Sequence, residues 1–391
     1  MIFNLNKMIN NNEKKDEKKD EKKETLKRIL SKFVDDNYKD LEKTKNNYIG
    51  SGAFGLVAEI KYKVDPSKNY VAKVLETIKD YPNESDLILE FRGPNIVKVN
   101  KVYHKKYENK DYDLILMEKA SLKDLNSFVR NLKQKNSLEL IFQNPFEIVG
   151  DNLIRFIVKQ LMKGFETFYL GNYTHFDFKP ENALIFNNLT VKLSDFGFLR
   201  NIEKIKDENN KIKVPGFTPG YIPPEYYYND NHLISVEEAK KIDFFALGAT
   251  IYFLKYGEIM INYPKYKDGI QYADYMIKLI ERGIDKIKST KSSGKDFNEF
   301  LINLIQYKSK NRSSFEEIYR NKWLNKNWKK ILEIKENNIN DNQMIIIELD
   351  KSEFLFEKNK HINEQRKQIG IFNANKYKDK KICYHKFKFQ L

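Results

Sequence analysis

Between Thr174 and Asn182 the chain reads Thr-His-Phe-Asp-Phe-Lys-Pro-Glu-Asn. Asp177 supplies a carboxylate, Lys179 an ammonium and Asn182 an amide, and Pro180 stiffens the loop by fixing one backbone angle. At the end of a helix, such a loop can offer Asp177 to a substrate hydroxyl, Lys179 to a phosphate oxygen and Asn182 to a metal. Further on, Asp195-Phe196-Gly197 places a second carboxylate on a turn, after the alternation Leu189-Thr190-Val191-Lys192-Leu193. Magnesium takes oxygen ligands in an octahedral shell and shares them with substrate phosphates. Asn182 and Asp195 suit that task.

These groups need elements to hold them. The apolar positions Leu153, Ile157, Leu161 and Phe165 recur on one face and predict a helix over Asp151–Leu170, capped by Asp151 and ended by Gly171, that delivers the chain into the loop. Upstream, Gly50, Gly52 and Gly55 sit in Gly-Ser-Gly-Ala-Phe-Gly, followed by a stretch in which Ile60, Tyr62 and Val64 alternate with Glu59, Lys61 and Lys63. Glycine lets backbone amides approach a phosphate closely. A strand after the glycines, rather than a helix, argues against a dinucleotide-binding turn. The next strand, Tyr70–Leu75, carries Lys73 in an apolar run, where a lysine is costly to bury without a partner.

Taken in order, these stretches resemble the glycine loop, the strand lysine, the catalytic loop and the Asp-Phe-Gly turn of the eukaryotic-type protein kinases. His175-Phe176-Asp177 stands in place of that family's His-Arg-Asp. Thr218 together with Lys179 is similar to the serine/threonine branch, and Thr218–Glu225 resembles its peptide-docking segment, with Pro-Pro-Glu for Ala-Pro-Glu. The resemblance implies an α+β fold of two lobes: a small antiparallel sheet with one helix, and a larger, mainly helical lobe. It implies ATP between them with Mg2+.

The same resemblance implies the roles of single residues. Lys73 would hold the α- and β-phosphates and pair with Glu84, chosen by counting back from the turn at Gly93-Pro94, although eleven positions is a short spacing for the family. Val57 and Ala72 would sandwich the adenine, with Leu184 below it. Met117, Glu118 and Ala120 would form the hinge strand whose backbone meets the base. Asp177 would orient the substrate hydroxyl and accept its proton, Lys179 would neutralise the γ-phosphate, and Asn182 and Asp195 would hold the metal. His175 would pack against Phe196, Asp243 would hold the backbone of the catalytic loop, and Arg312 would pair with Glu225.

The activation segment departs from the family. Phe176 occupies the position of the arginine that usually receives a phosphate, and Phe198–Phe217 contains no Ser, Thr or Tyr. Both halves of the usual charge switch are absent together. The segment is therefore expected to be held by packing and by its own charges, with Lys204, Lys206 and Lys211 against Asp207 and Glu208, and activity is expected to be independent of phosphorylation there.

Composition bounds the rest. The chain has 391 residues, 32% of them charged, with a net charge of +15 and a single cysteine. One cysteine excludes an intramolecular disulfide framework and suits a reducing compartment. The apolar run Phe244–Leu254 is too short for a membrane span, and Met1–Asn10 does not resemble a secretory signal. An intracellular protein of the cytoplasm or nucleus is expected. The charge favours acidic partners only nonspecifically, and neither nucleic acid nor a membrane is the expected partner.

Residues 1–44, which include the alternating Glu13–Glu24 run, read as a charged arm, disordered or a solvated helix. Residues 45–328 read as the kinase domain, with the small lobe over 45–118 and the large lobe over 121–328. Residues 329–391 form a C-terminal extension of unknown role and partner, with strands expected at Met344–Leu349 and Ile382–Leu391. The reading is a serine/threonine protein kinase acting on protein hydroxyls. The rival reading is a non-catalytic kinase-like scaffold, for which the short Lys73–Glu84 spacing is the best argument.

Overall fold

The structure is a computed structural model. It describes residues 20–52, 55–66, 68–77, 84–134, 149–186, 189–228, 233–262, 269–291, 293–325, 344–346 and 371–373. The chain divides into two compact units, one formed by 1–92 with 97–119 and the other by 93–96 with 120–391.

The smaller unit is built on a five-stranded antiparallel sheet: β1 (Leu41–Gly52), β2 (Gly55–Tyr62), β3 (Tyr70–Glu76), β4 (Val99–Tyr107) and β5 (Lys110–Glu118). Their order is β1-β2-β3-β5-β4. Side chains alternate between the two faces of a strand, and the register sorts them. Ala58 lies opposite Ala72, Val57 opposite Lys73, and Lys73 in turn opposite Ile115. One face thus carries Leu56, Ala58, Ile60, Tyr70, Ala72, Val74, Leu114 and Leu116, all buried in one apolar cluster. The other carries Val57, Val71, Lys73 and Ile115.

The first face is covered by α1, whose described part is 20–36. Leu26, Ile29, Leu30, Phe33 and Val34 recur at helical spacing and are buried against the sheet. The expectation of a solvated arm over 1–44 is therefore corrected from residue 20 onward; 1–19 lie outside the described residues. The charged run stops at Glu24, and the apolar stripe that follows removes enough surface from water to seat the helix. Rim contacts add to it: Lys101 Nζ lies 2.8 Å from Asp40 Oδ2, and the Lys32 ammonium lies 3.9 Å from the Tyr107 ring centre. β1 then begins at Leu41, which is buried in the same cluster. The second face receives α2 (Glu84–Glu90), a two-turn helix with Glu84, Ser85, Leu87 and Ile88 buried.

The larger unit is mainly helical. Its framework is α3 (Leu125–Gln134), α4 (Asp151–Tyr169), α6 (Val236–Tyr256), α7 (Gly269–Ser289) and α8 (Lys295–Leu304), with the short α5 (Ile202–Ile205), α9 (Phe315–Tyr319) and α10 (Lys322–Asn325). The helix expected over Asp151–Leu170 is present as α4, but Asp151 does not cap it. Gly150 is the N-cap, and the Asp151 carboxylate instead takes the buried Lys255 ammonium at 2.6 Å. Apolar burial nearly all round makes α6 the axis of the unit. A reciprocal Ser235–Glu238 capping box starts it and Gly257, at φ 65°, ends it. In the C-terminal extension, β12 (Met344–Ile346) pairs antiparallel with β13 (Ile371–Asn373). Part of the strand expected over Met344–Leu349 is thus present; Ile382–Leu391 lies outside the described residues.

Candidate active site

The catalytic loop is pinned from below by α6. Asp243 is buried, and its two carboxylate oxygens accept the amide protons of His175 at 2.7 Å and Phe176 at 3.0 Å. Burial pushes the Asp243 carboxyl up, while His175 and the two amides oppose that shift. These bonds hold Phe176 at φ 64°, a conformation that costs a bulky residue roughly 1–3 kcal/mol and persists only where the surroundings fix it. His175 is fully buried; its ring centre lies 5.7 Å from that of Phe196, and its Nε2 is 3.1 Å from Ser194 O.

Above this support the reactive groups converge. Lys179 Nζ lies 2.8 Å from Asp177 Oδ2 and donates to Thr218 Oγ1 at 2.6 Å. The Thr218 hydroxyl donates to Asp177 Oδ1 at 2.6 Å. A closed triangle of carboxylate, ammonium and hydroxyl results, and both oxygens of Asp177 are oriented by it. The Asn182 side-chain amide donates to Asp177 O at 2.7 Å, so its NH2 is committed and its Oδ1 is the end left to accept.

A hairpin brings the two oxygen donors to neighbouring segments. β7 (Ala183–Ile185) pairs antiparallel with β8 (Val191–Leu193), with Ala183 opposite Leu193. Asn182 enters the hairpin where Ser194-Asp195 leaves it, and Ser194 N donates to Asn182 O at 3.0 Å. Asp195 takes φ 63°. An amide oxygen and a carboxylate are hard ligands of the kind magnesium prefers. Among the described residues no group of three His, Cys, Asp or Glu side chains could enclose a metal unaided. The donor set therefore fits a cation that completes its shell with phosphate oxygens and water.

In the small unit, Lys73 and Glu84 form a buried ion pair, with Nζ at 2.6 Å from Oε2 and 2.8 Å from Oε1. The eleven-residue spacing is bridged because α2 begins at Glu84 itself. Gly55 lies at φ 140°, and a Cβ there would fall 2.2 Å from Val74 O, so only glycine fits. A Cβ at Gly50 would meet nothing within 4 Å. The backbone of Gly52 ends β1 opposite Gly55.

One expectation is corrected. Ala72 does not share a face with Val57 and Lys73. It is fully buried beneath α1 on the far side of the sheet, because adjacent strand residues point to opposite faces. Val71, two residues before Lys73, lies on the Lys73 face, and the period of two in the sequence was signal enough to find it. Met117 is buried at the end of β5, and Glu118 is tied to Lys98 through both its amide and its carboxylate. Ala120 opens the larger unit. Leu184 is half-buried at the centre of β7.

The activation segment is tied down by backbone pairing at two places. β9 (Arg200–Asn201) pairs with β6 (Tyr173–Thr174), and β10 (Lys211–Lys213) pairs with β11 (Leu233–Ser235), the strand that runs straight into α6. Leu199, Ile202, Ile212 and Val214 are buried. A Cβ on Gly216 would fall 2.1 Å from the Phe198 ring, so the ring closes onto bare backbone. The expected charge pairing is corrected: Lys206 meets Glu203 at 2.8 Å, and Asp207 accepts the backbone amides of Asn209 and Lys211. Downstream, Arg312 and Glu225 form a buried two-pronged pair at 2.8 and 3.1 Å.

Within the larger unit, a carboxylate that can orient a hydroxyl thus lies beside an ammonium, with an amide and a second carboxylate on neighbouring segments, the kinds of group that phosphoryl transfer calls for. The family model for the protein kinase domain matches residues 43–324, and the chain belongs to that family. It is 25% identical to serine/threonine-protein kinase D2 of Rattus norvegicus over 288 residues, which cover 71% of this chain and 29% of that protein. It is 26% identical to serine/threonine-protein kinase cds1 of Schizosaccharomyces pombe over 235 residues, 56% of this chain and 46% of that protein. The interferon-induced, double-stranded RNA-activated protein kinase of Rattus norvegicus is 27% identical over 224 residues, 55% of this chain and 41% of its own length. The chain thus spans less than half the length of each of these relatives. Among the described residues, no helix is long and apolar enough to cross a membrane.

Proposed function

We propose that this chain is a serine/threonine protein kinase that transfers the γ-phosphate of ATP to protein hydroxyls, independently of phosphorylation of its activation segment. The observation that carries the reading is the Asp177–Lys179–Thr218 triangle, with both Asp177 oxygens directed and the loop beneath them fixed by Asp243. Asp177 orients the attacking hydroxyl and receives its proton, and Lys179 offsets charge on the transferred group. Asn182 and Asp195 would hold magnesium, whose chemistry when bound is to neutralise the phosphates. Lys73, held by Glu84, binds the α- and β-phosphates. Gly50, Gly52 and Gly55 allow the backbone to approach them. Such catalysis consists largely of positioning and charge stabilisation.

Independence from phosphorylation is supported by Phe176, which is buried and cannot receive a phosphate, and by a segment already held in two small sheets. The test is transfer from labelled ATP, with magnesium, to a degenerate peptide library whose acceptor is Ser, Thr or Tyr. Label on Ser and Thr peptides supports the reading, and its persistence after phosphatase treatment supports the regulatory part. Nucleotide binding without transfer would favour a kinase-like scaffold instead.

A further inference from the structure

The small unit holds a polar cluster that the phosphate chemistry leaves unused. Ser85, adjacent to Glu84 in the first turn of α2, is 1% exposed and donates its hydroxyl to Asp113 Oδ2 on β5. Asp113 is also buried, and its Oδ1 lies 2.6 Å from Nδ1 of His104, directly opposite on β4. The His104 side chain is 66% exposed. Leu75 pairs with Asp113 and Lys73 with Ile115, so Lys73, Asp113 and His104 project from the same face of the sheet, the one that receives α2.

A helix of two turns does not hold its own shape in water. Leu87 and Ile88 bury apolar surface, but that attraction is nondirectional and leaves the rotation and register of α2 open. Directional contacts are made by consecutive helix residues: Glu84 to Lys73 on β3, and Ser85 to Asp113 on β5. A buried carboxylate is costly unless its oxygens are hydrogen-bonded. One Asp113 oxygen takes Ser85 and the other takes His104, so neither contact substitutes for the other.

We propose that Ser85 and Asp113 are positioning residues for the Lys73–Glu84 ion pair, with His104 orienting the Asp113 carboxylate. They bolt the first turn of α2 to the sheet and thereby set where the Glu84 carboxylate meets Lys73. The proposal rests on the reading of Lys73 as the nucleotide-phosphate ligand.

The test compares the full chain with its Ser85→Ala, Ser85→Thr and Asp113→Asn variants. The readouts are steady-state kinetics against ATP and against peptide, and amide hydrogen exchange over 84–90. Ser85→Ala should raise the KM for ATP about tenfold, the scale of one lost hydrogen bond, with the peptide KM unchanged and exchange across α2 faster. Ser85→Thr, which keeps the hydroxyl, should restore both. Asp113→Asn, which keeps the shape, should move the same readouts in the same direction by less. A Ser85→Ala protein that melts earlier but keeps its ATP KM and its α2 exchange would overturn the proposal. Were the parent inactive, the functional reading would fall, and exchange over 84–90 would still decide the bolt: faster in Ser85→Ala supports it, unchanged refutes it.

Discussion

Glu225→Ala removes one half of the buried ion pair that ties the end of the docking segment to Arg312. The arginine side chain is fully buried, and its guanidinium donates to Glu225 at 2.8 and 3.1 Å, to Gln306 O at 2.9 and 3.1 Å and to Lys241 O at 3.3 Å. Its cation also lies 5.0 Å from the centre of the Phe245 ring. Breaking a buried pair on one side costs roughly 3–5 kcal/mol, because the remaining charge is left without its partner. The carbonyls of Gln306 and Lys241 still receive three of the guanidinium's bonds, which puts the expected loss at the low end, about 3 kcal/mol. A protein of ordinary stability survives that loss. Urea unfolding should show a lower midpoint at unchanged slope. Joining Glu225→Leu with Arg312→Met should recover most of the loss, since an apolar pair avoids the cost of taking two charges out of water. A loss below about 1 kcal/mol, or a double variant as weak as the sum of its singles, would refute the reasoning.

Four further outcomes are expected. Phe33→Ala should destabilise the small unit by about 3–5 kcal/mol, measured by chemical unfolding, because Phe33 is 1% exposed between α1 and the sheet. Protein made in bacteria and treated with phosphatase should keep its transfer rate, followed by mass spectrometry and kinetics; a large loss traced to a site between Phe198 and Tyr221 would contradict this. Thr218→Ala should lower kcat about 10- to 100-fold while Thr218→Ser retains most of it, since each hydrogen bond to a charged group contributes about 1.5–3 kcal/mol. The fourth concerns pH. Burial, aided by the neighbouring Arg155, pushes Lys159 down from 10.5 to about 8. The unfolded chain therefore binds this proton more readily than the folded one, so stability is penalised fully below pH 8 and the penalty lifts as pH rises towards 10.5. Relative to the parent, Lys159→Met should gain about 1–3 kcal/mol at pH 7 and progressively less between pH 8 and 10 in urea unfolding.

Much of the site was legible because its chemistry is local in sequence. Asp177, Lys179 and Asn182 lie within one loop, and the β7–β8 pairing that carries Asp195 beside Asn182 follows from a short hairpin. Glu84 is reached by counting back from Gly93-Pro94, and a buried ion pair joins it to Lys73 despite the short spacing. Ala72, adjacent to Lys73, has the wrong strand parity for the Lys73 face, and Val71 has the right one. The role of α1 was hidden by its neighbour: the charged run to Glu24 dominates the composition, while the apolar stripe from Leu26 to Val34 is the part that packs. The Ser85–Asp113–His104 cluster could not be read from sequence, since Ser85 and Asp113 meet only when α2 is laid across β5. In the activation segment, the absence of hydroxyls is plain in the sequence, but the backbone pairing, the Phe198–Gly216 contact and the particular partners of Lys206 and Asp207 are not.

The central claim is tested most directly by phosphoryl transfer in the parent and in the Asp177→Asn and Lys73→Met variants, each checked for folding by its melting temperature. With labelled ATP, magnesium and a Ser/Thr peptide, the parent should incorporate label and both variants should lose at least about 99% of the rate, in keeping with the 10²- to 10³-fold scale of one removed catalytic group. Folded variants that label peptide at the parent's rate, or a folded parent that binds nucleotide and transfers none, would contradict it.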